Sequence, residues 1–278
     1  MSQVFRFAPS PNGFLHSGHA YSALLNDRLA RACGGRFLLR IEDIDTGRAR
    51  PAFEQAIYED LAWLGLEWEK PVRRQSEHFD AYARALERLD AMGLLYACDC
   101  RRSDITHIAQ AHADWPHDPD GSPHYPGTCR LKPRRPAREI LSKGGVSLRL
   151  DMRKAVEQAG QGLTWREDDA TVVADPLRWG DVILARKDTP ASYHIAVVVD
   201  DALQGVTNVV RGRDLYPATS LHRLLQRLLD LPEPRYLHHD LLRDSAGEKL
   251  AKSRESETLR SLRAAGLSAA ALRMRLGF

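Results

Sequence analysis

The chain has 278 residues, 43% of them hydrophobic and 28% charged, enough to bury a core of one large or two modest domains. Forty basic against 37 acidic residues give a net charge of +3, which neither requires nor excludes a nucleic-acid partner. This composition excludes an intrinsically disordered chain, and four cysteines are too few for a disulfide scaffold. No run approaches the roughly 18 apolar residues of a membrane span, and none at the N-terminus reads as a signal peptide. A reduced, cytoplasmic, monomeric protein with no membrane partner is expected.

Val4 to Ala8 reads as a strand, and Pro9, Pro11 and Gly13 then break it into a stiff loop. An amphipathic helix follows, with Tyr21, Leu24, Leu25, Leu29 and Ala32 on one face and Gly34-Gly35 as its stop. Cys33 falls on that apolar face and is expected in the core. His16-Ser17-Gly18-His19 stands where the helix begins. Unpaired N–H groups and the positive dipole end suit a phosphate there, histidines add donors, and glycine permits close approach. By itself such a turn is more often a βα connection with two solvent-exposed histidines.

Arg36 to Ile41 reads as a second strand, completing a βαβ unit with parallel pairing. The ligand edge of such a unit lies beyond the carboxyl ends of its strands. The histidine turn and the acids Glu42, Asp43 and Asp45 therefore share one edge, and Glu42 is a candidate for a substrate ammonium group. Two helices are expected next: Phe53, Ala56, Ile57, Leu61 and Leu64 stripe the first. Phe79, Tyr82, Ala83, Leu86 and Leu89 stripe the second, with Ser76 as its N-cap.

Strand-like Leu94 to Ala97 leads into Cys98-Asp99-Cys100, and a Pro-Gly turn later returns Cys129. Three cysteines make a partial zinc set, with His107, His112, His117, His124 and Tyr125 all in range as a fourth ligand. Ordinary reduced thiols are an equal alternative on residues alone. Arg130 to Arg138 carries five basic residues and no acid; it reads as a solvated loop that could meet phosphates. Val182 to Ala185 and Ile195 to Val199 read as strands returning to the sheet, the latter as a buried parallel strand with Tyr193 at its edge. Gln204 to Arg211 is a further strand, and a helix with Leu221, Leu224, Leu225 and Leu228 follows. Arginines at strand ends, Arg6 and Arg211, can fork onto carboxylates.

Five separated stretches in order carry a resemblance. Arg6 to Gly13 followed by His16-Ser17-Gly18-His19 resembles the HIGH signature of class I aminoacyl-tRNA synthetases, in its glutamyl form. Arg40 to Asp45 is similar to R-I-E-D-T-D, with Ile44 in place of threonine. Tyr193 to Asp201 and Val209 to Leu215 are similar to glutamyl synthetase segments, and Lys249 to Ser253 resembles the K-M-S-K-S loop, with Ala251 in place of serine. C-x-C followed by Y-x-x-x-C looks like the zinc-binding insertion of the glutamyl-queuosine tRNA(Asp) synthetase family, although the stretch between is longer than in that pattern. Only about 25 residues follow Ser253, too few for a helical anticodon-binding domain.

The resemblance implies an α/β fold: a Rossmann-like parallel-sheet core with an inserted zinc-binding subdomain and a short helical C-terminal segment. It implies core halves at 1–95 and 146–240, an insertion at 96–145, and the K-M-S-K-S-like loop and helices at 241–278. Glutamate would be held by Arg6, Ala8, Ser10, Glu42, Tyr193 and Arg211; ATP by His16, Gly18, His19, Lys249 and Lys252. His16, His19 and Lys252 would act on the phosphates, with Mg²⁺ arriving with ATP. Cys98, Cys100, Tyr125 and Cys129 would ligate one structural Zn²⁺. The implied reaction activates glutamate with ATP without tRNA, then transfers it to queuosine in the anticodon loop of tRNA(Asp), a cyclopentene hydroxyl attacking the adenylate. Alternatives are a truncated synthetase charging the 3′ end, a pantothenate-synthetase-like ligase, and a non-catalytic tRNA-binding paralogue.

Overall fold

The computed structural model describes residues 2–242 and 257–278. In chain order the elements are β1 (Val4–Phe7), α1 (Ser17–Ala32), β2 (Arg36–Ile41), α2 (Pro51–Trp63), β3 (Glu69–Arg74), α3 (Phe79–Ala91), β4 (Leu95–Cys98), α4 (Arg102–Gln110), α5 (Ala137–Lys143) and β5 (Ser147–Leu150). Then come α6 (Met152–Ala159), β6 (Thr164–Glu167), β7 (Ala170–Val173), β8 (Ile183–Ala185), α7 (Tyr193–Leu203), β9 (Asn208–Gly212), α8 (Ala218–Leu228), β10 (Arg235–His239), α9 (Leu259–Ala264) and α10 (Ala269–Arg275). They fall into two compact units. No helix among the described residues is long and apolar enough to cross a membrane.

The first unit comprises the described residues of Met1–Glu77, Gly205–Tyr216 and Pro234–Phe278. Its strands are parallel, in the order β3-β2-β1-β9-β10, with Phe5 opposite Phe37 and His238 opposite Arg211. This is the open α/β arrangement whose crossovers place the strands' carboxyl ends along one edge. Phe5, Phe7, Leu39, Ile41 and Val210 turn one sheet face toward Ala20, Leu24, Ile57, Leu61 and Leu259 of the helices. Alternation along the strands then places Arg6, Arg40, Arg211 and His238 together on the opposite face. The Asn26 amide of α1 donates to the Val210 carbonyl at 3.1 Å, tying helix to sheet.

The second unit spans His78–Gln204 and Pro217–Glu233. It contains a three-stranded antiparallel sheet, β4-β5-β8, and the antiparallel hairpin β6–β7. Its helices α3, α7 and α8 pack together, and the Tyr82 hydroxyl donates to buried Asp200 at 2.8 Å.

Several expectations are corrected. Ile195 to Val199 is helix, because α7 is buried on every side from Ile195 to Asp201 and so carries no amphipathic period. The strand at 182–185 joins β5 rather than a parallel sheet. Ser76 is not a helix cap: it sits in a 3₁₀ turn, its hydroxyl donating to Asp43 at 2.6 Å and its amide at 2.8 Å, while His78 precedes α3. Cys33 is exposed, one residue past α1, with its thiol turned back on the Ala30 carbonyl. Strand β3 escapes a pattern reading because Glu-Lys-Pro-Val-Arg-Arg has no apolar alternation; it is a charged, proline-bearing edge strand.

Candidate active site and metal centre

The loop after β1 is stitched from both sides. The Glu42 amide at the end of β2 donates to the Pro9 carbonyl, and the Arg50 amide before α2 donates to the Pro11 carbonyl, each at 3.0 Å. Two prolines remove donors and limit φ, so few hydrogen bonds suffice to fix the segment. Ala8 and Ser10 lie in it, directly beyond the carboxyl end of β1.

His16 is the N-cap of α1. Its Nδ1 accepts the Gly18 amide at 3.1 Å, and Nδ1 of His19 accepts the His16 amide at 3.2 Å. The histidines thus form the reciprocal pair that serine and glutamate usually make at a helix start. A Cβ on residue 18 would lie 3.0 Å from the His16 ring, so glycine is what lets that ring fold back over the turn. With each Nδ1 accepting from backbone, a neutral ring carries its proton on Nε2. The turn therefore combines two Nε2–H groups with the positive dipole end of α1, a constellation suited to phosphate.

Charge gathers at the neighbouring strand ends. Glu42 pairs with Arg40 at 3.1 Å, the arginine fully buried and the carboxylate nearly so. In β9, Arg211 is 5% exposed; its Nε donates to His238 at 3.0 Å and its Nη2 to the Leu215 carbonyl at 3.1 Å. Arg6 is buried in β1 on the same face. Parallel register thus assembles Arg6, Glu42, Arg211 and the histidine turn at the carboxyl edge of the first unit's sheet. His238 was absent from the sequence expectations. Its place opposite Arg211 follows from strand register, which a single sequence does not print. Tyr193 belongs to the second unit, where it opens α7 with its ring 5.4 Å from His194 and 5.6 Å from His222. Lys249 and Lys252 lie outside the described residues.

The cysteine cluster lies wholly in the second unit. The sulfurs of Cys98, Cys100 and Cys129 all fall within 4.8 Å of one another, with Cys100 and Cys129 3.6 Å apart. β4 delivers Cys98, the turn beyond it delivers Cys100, and a turn at Gly127 returns Cys129. The Tyr125 hydroxyl stands 3.4 Å from Cys100 Sγ and accepts the Cys129 amide at 2.9 Å. Burial, reinforced by its hydrogen bonds to the three cysteines, pushes the Tyr125 phenol well above its ordinary range. The Arg149 guanidinium lies over its ring at 4.0 Å. Asp99, between the two cysteines, is held by Lys132 Nζ at 2.8 Å, while Lys187 Nζ reaches its carbonyl at 2.7 Å. Lys132 and the Cys129 thiol hold the Asp99 carboxyl down near 2. Three thiols and a phenol oxygen converging on one point can hold a metal ion, and His107, His112, His117 and His124 lie outside that cluster.

Comparison with known proteins follows the same lines. The family model for tRNA synthetases class I (E and Q), catalytic domain, matches residues 3–275. A glutamyl-Q tRNA(Asp) synthetase from Rhodobacter capsulatus is 47% identical over 279 residues, covering 99% of both chains. One from Deinococcus radiodurans is 42% identical over 255 residues, covering 91% of this chain and 80% of that protein. The crystal structure of the glutamate-tRNA synthetase from Elizabethkingia anophelis superposes with a TM-score of 0.74 at 26% identity. That match covers 96% of this chain and 54% of that one. The chain belongs to the class I (E and Q) tRNA synthetases and, within them, to the glutamyl-Q tRNA(Asp) synthetase family.

Proposed function

We propose that this chain activates L-glutamate with ATP and transfers the glutamyl group to queuosine in the anticodon loop of tRNA(Asp). The observation that carries the reading is full-length similarity to a glutamyl-Q tRNA(Asp) synthetase, in a chain whose histidine-capped turn shares a strand edge with Glu42 and Arg211. Glutamate presents two carboxylates and an ammonium group. Arg6 and Arg211 suit the carboxylates and Glu42 the ammonium, with Ala8 and Ser10 in the loop beyond β1; the family resemblance also assigns Tyr193 a contact with the amino acid.

The α-carboxylate attacks the α-phosphorus of ATP, forming the P–O bond of glutamyl-adenylate and releasing pyrophosphate. His16, His19, the positive dipole end of α1 beside Gly18, Lys249 and Lys252 bear on the phosphates, and Mg²⁺ arrives as the nucleotide's counter-ion. Positioning and preorganised charge supply the rate, since the protein itself makes no covalent bond.

Cys98, Cys100, Cys129 and Tyr125 fit zinc by donor chemistry, three soft thiolates and one oxygen in a closed set of four. Bound there, the ion would tie the C-x-C turn to the 125–129 segment, a structural role. Supporting cations stand ready: Lys132, Lys187 and Arg149 offset the charge of deprotonated ligands.

The test uses labelled glutamate, ATP and two tRNA pools, with and without queuosine. Label confined to the queuosine pool and recovered in the anticodon fragment is expected. Equal 3′-end labelling of both pools would make this a short conventional synthetase, and labelling of neither a binding protein.

A further inference from the structure

Asp60 of α2 is an acid in an uncomfortable place. It is 0% exposed, and among the described residues neither carboxylate oxygen accepts a hydrogen bond. Its partner is Arg263 of α9, whose Nη2 stands 3.6 Å from Oδ1 and 3.5 Å from Glu59. A buried carboxylate so thinly satisfied costs stability at neutral pH, and such residues concentrate where function requires them.

What Arg263 holds in place is the helix that touches the histidine turn. The residue before α9, Thr258, bridges His16, and the Leu259 amide donates to the Leu15 carbonyl at 2.8 Å. One residue on, the Arg260 guanidinium lies over the Phe14 ring at 5.3 Å. Phe14 packs edge-on against Phe53 at 4.9 Å, in the first turn of α2. At the other end of that helix Arg273 of α10 caps the Leu64 carbonyl at 2.9 Å. The loop, α2 and α9 thus form a closed brace in the first unit: α2 touches the loop with its first turn and grips α9 with its last.

We propose that Asp60 is a positioning residue, which through Arg263 seats α9 against Phe14, Leu15 and His16 and so fixes the phosphate-binding turn. The inference rests on the proposed function in taking that turn to act on ATP.

Charge state makes the brace testable. Burial raises the Asp60 carboxyl to about 6, with Arg263 and Arg260 of α9 opposing and neighbouring Glu59 of α2 reinforcing. Above that pH the carboxylate grips Arg263; below it Arg263 keeps only its contacts with Glu59 at 3.5 Å. Stability runs the other way. A folded-state value above the ordinary one means the native protein binds the proton more readily than the unfolded chain. Asp60's own contribution to stability therefore improves as pH falls through 6.

Asp60→Asn removes the charge at nearly constant shape. At pH 7.5 it is expected to lower kcat for glutamate-dependent ATP–pyrophosphate exchange about ten-fold with glutamate KM unchanged, as small misplacements remote from the chemistry do. Its thermal midpoint is expected to equal or exceed that of the unaltered chain. The rate ratio should shrink to about three-fold at pH 5.5, where most of the Asp60 carboxyl is protonated, and Arg263→Gln, on a partly exposed side chain, should reproduce the loss at pH 7.5. Hydrogen exchange at the Leu259 amide should quicken about ten-fold in Asp60→Asn, a readout independent of activity. If the unaltered chain shows exchange and D60N matches it from pH 5.5 to 8, the inference fails. If the unaltered chain shows none, the proposed function fails, and unchanged Leu259 protection in D60N would then overturn the brace by itself.

Discussion

His16 and His19 cap the same helix start for each other, their rings 3.8 Å apart, each Nδ1 taken up by a backbone amide. The arrangement commits one nitrogen of each imidazole, Nδ1, to the fold. Replacing His19 by alanine should lower ATP–pyrophosphate exchange by about 10²–10³-fold, the cost of removing one preorganised donor to a developing charge. Stability should fall by only about 1 kcal/mol, that of a lost cap. Parallel exchange assays and urea titrations separate the two; a rate loss that merely tracks unfolding would return His19 to a structural role.

Lys252, outside the described residues, matches the second lysine of the K-M-S-K-S pattern. Lys252→Ala should depress kcat of exchange by about 10²-fold or more while changing glutamate KM little, because its charge would act on pyrophosphate as it departs. Unchanged exchange removes it from the mechanism. Ala251 costs a hydroxyl but no charge, so Ala251→Ser should raise the rate only modestly.

Asp43, two residues past β2, takes both the amide and the hydroxyl of Ser76. Arg74 approaches Asp43 at 3.7 Å and binds Glu54 of α2 at 2.9 Å. Ser76→Ala deletes a short charge-assisted bond to a buried carboxylate and should cost about 1.5–3 kcal/mol. A shift in urea midpoint at constant slope measures it. A loss below about 0.5 kcal/mol would mean that water replaces the hydroxyl.

Zinc analysis of purified protein tests the cysteine cluster. The unaltered chain should carry one zinc, and Cys100→Ser and Cys129→Ser well under one. Tyr125→Phe keeps three thiolates and should lose zinc to a chelator at least about ten-fold more readily, the lower end of what even an outer-shell loss costs. Equal zinc in all four proteins would discard the site, and equal retention by Tyr125→Phe would discard the tyrosine.

Local chemistry was legible where a residue's role depends on its near neighbours. Proline, glycine and two histidines announce the turn after β1, and apolar periodicity locates α1, α2 and α3 to within a few residues. It failed where the environment is uniform. Ile195 to Val199 is wholly apolar, and helix or strand cannot be told from hydrophobicity in a run buried all round. The eleven residues of α7 exceed an ordinary strand, the one signal that could have decided. Across the candidate site, Arg6, Glu42 and Arg211 are legible as candidates by residue type, whereas the places of His238 beside Arg211 and of Asp60 against Arg263 depend on register and tertiary packing. Cys33 illustrates the boundary problem: one residue beyond the last helical turn, a thiol on the apolar stripe ends in solvent.

The basic stretch after the cysteine cluster has a different character once its partners are counted. Arg130 is tied to Asp181, Lys132 to Asp99, Arg134 to Asp90 and Arg135 to Glu139. An RNA phosphate recruiting any of these cations must first displace a carboxylate, so the net counter-ion release per contact falls well short of the roughly 0.9 expected for a bare lysine or arginine on duplex nucleic acid. Sequence composition advertises a landing strip for RNA; the ion pairs tie four of its cations to carboxylates of the second unit.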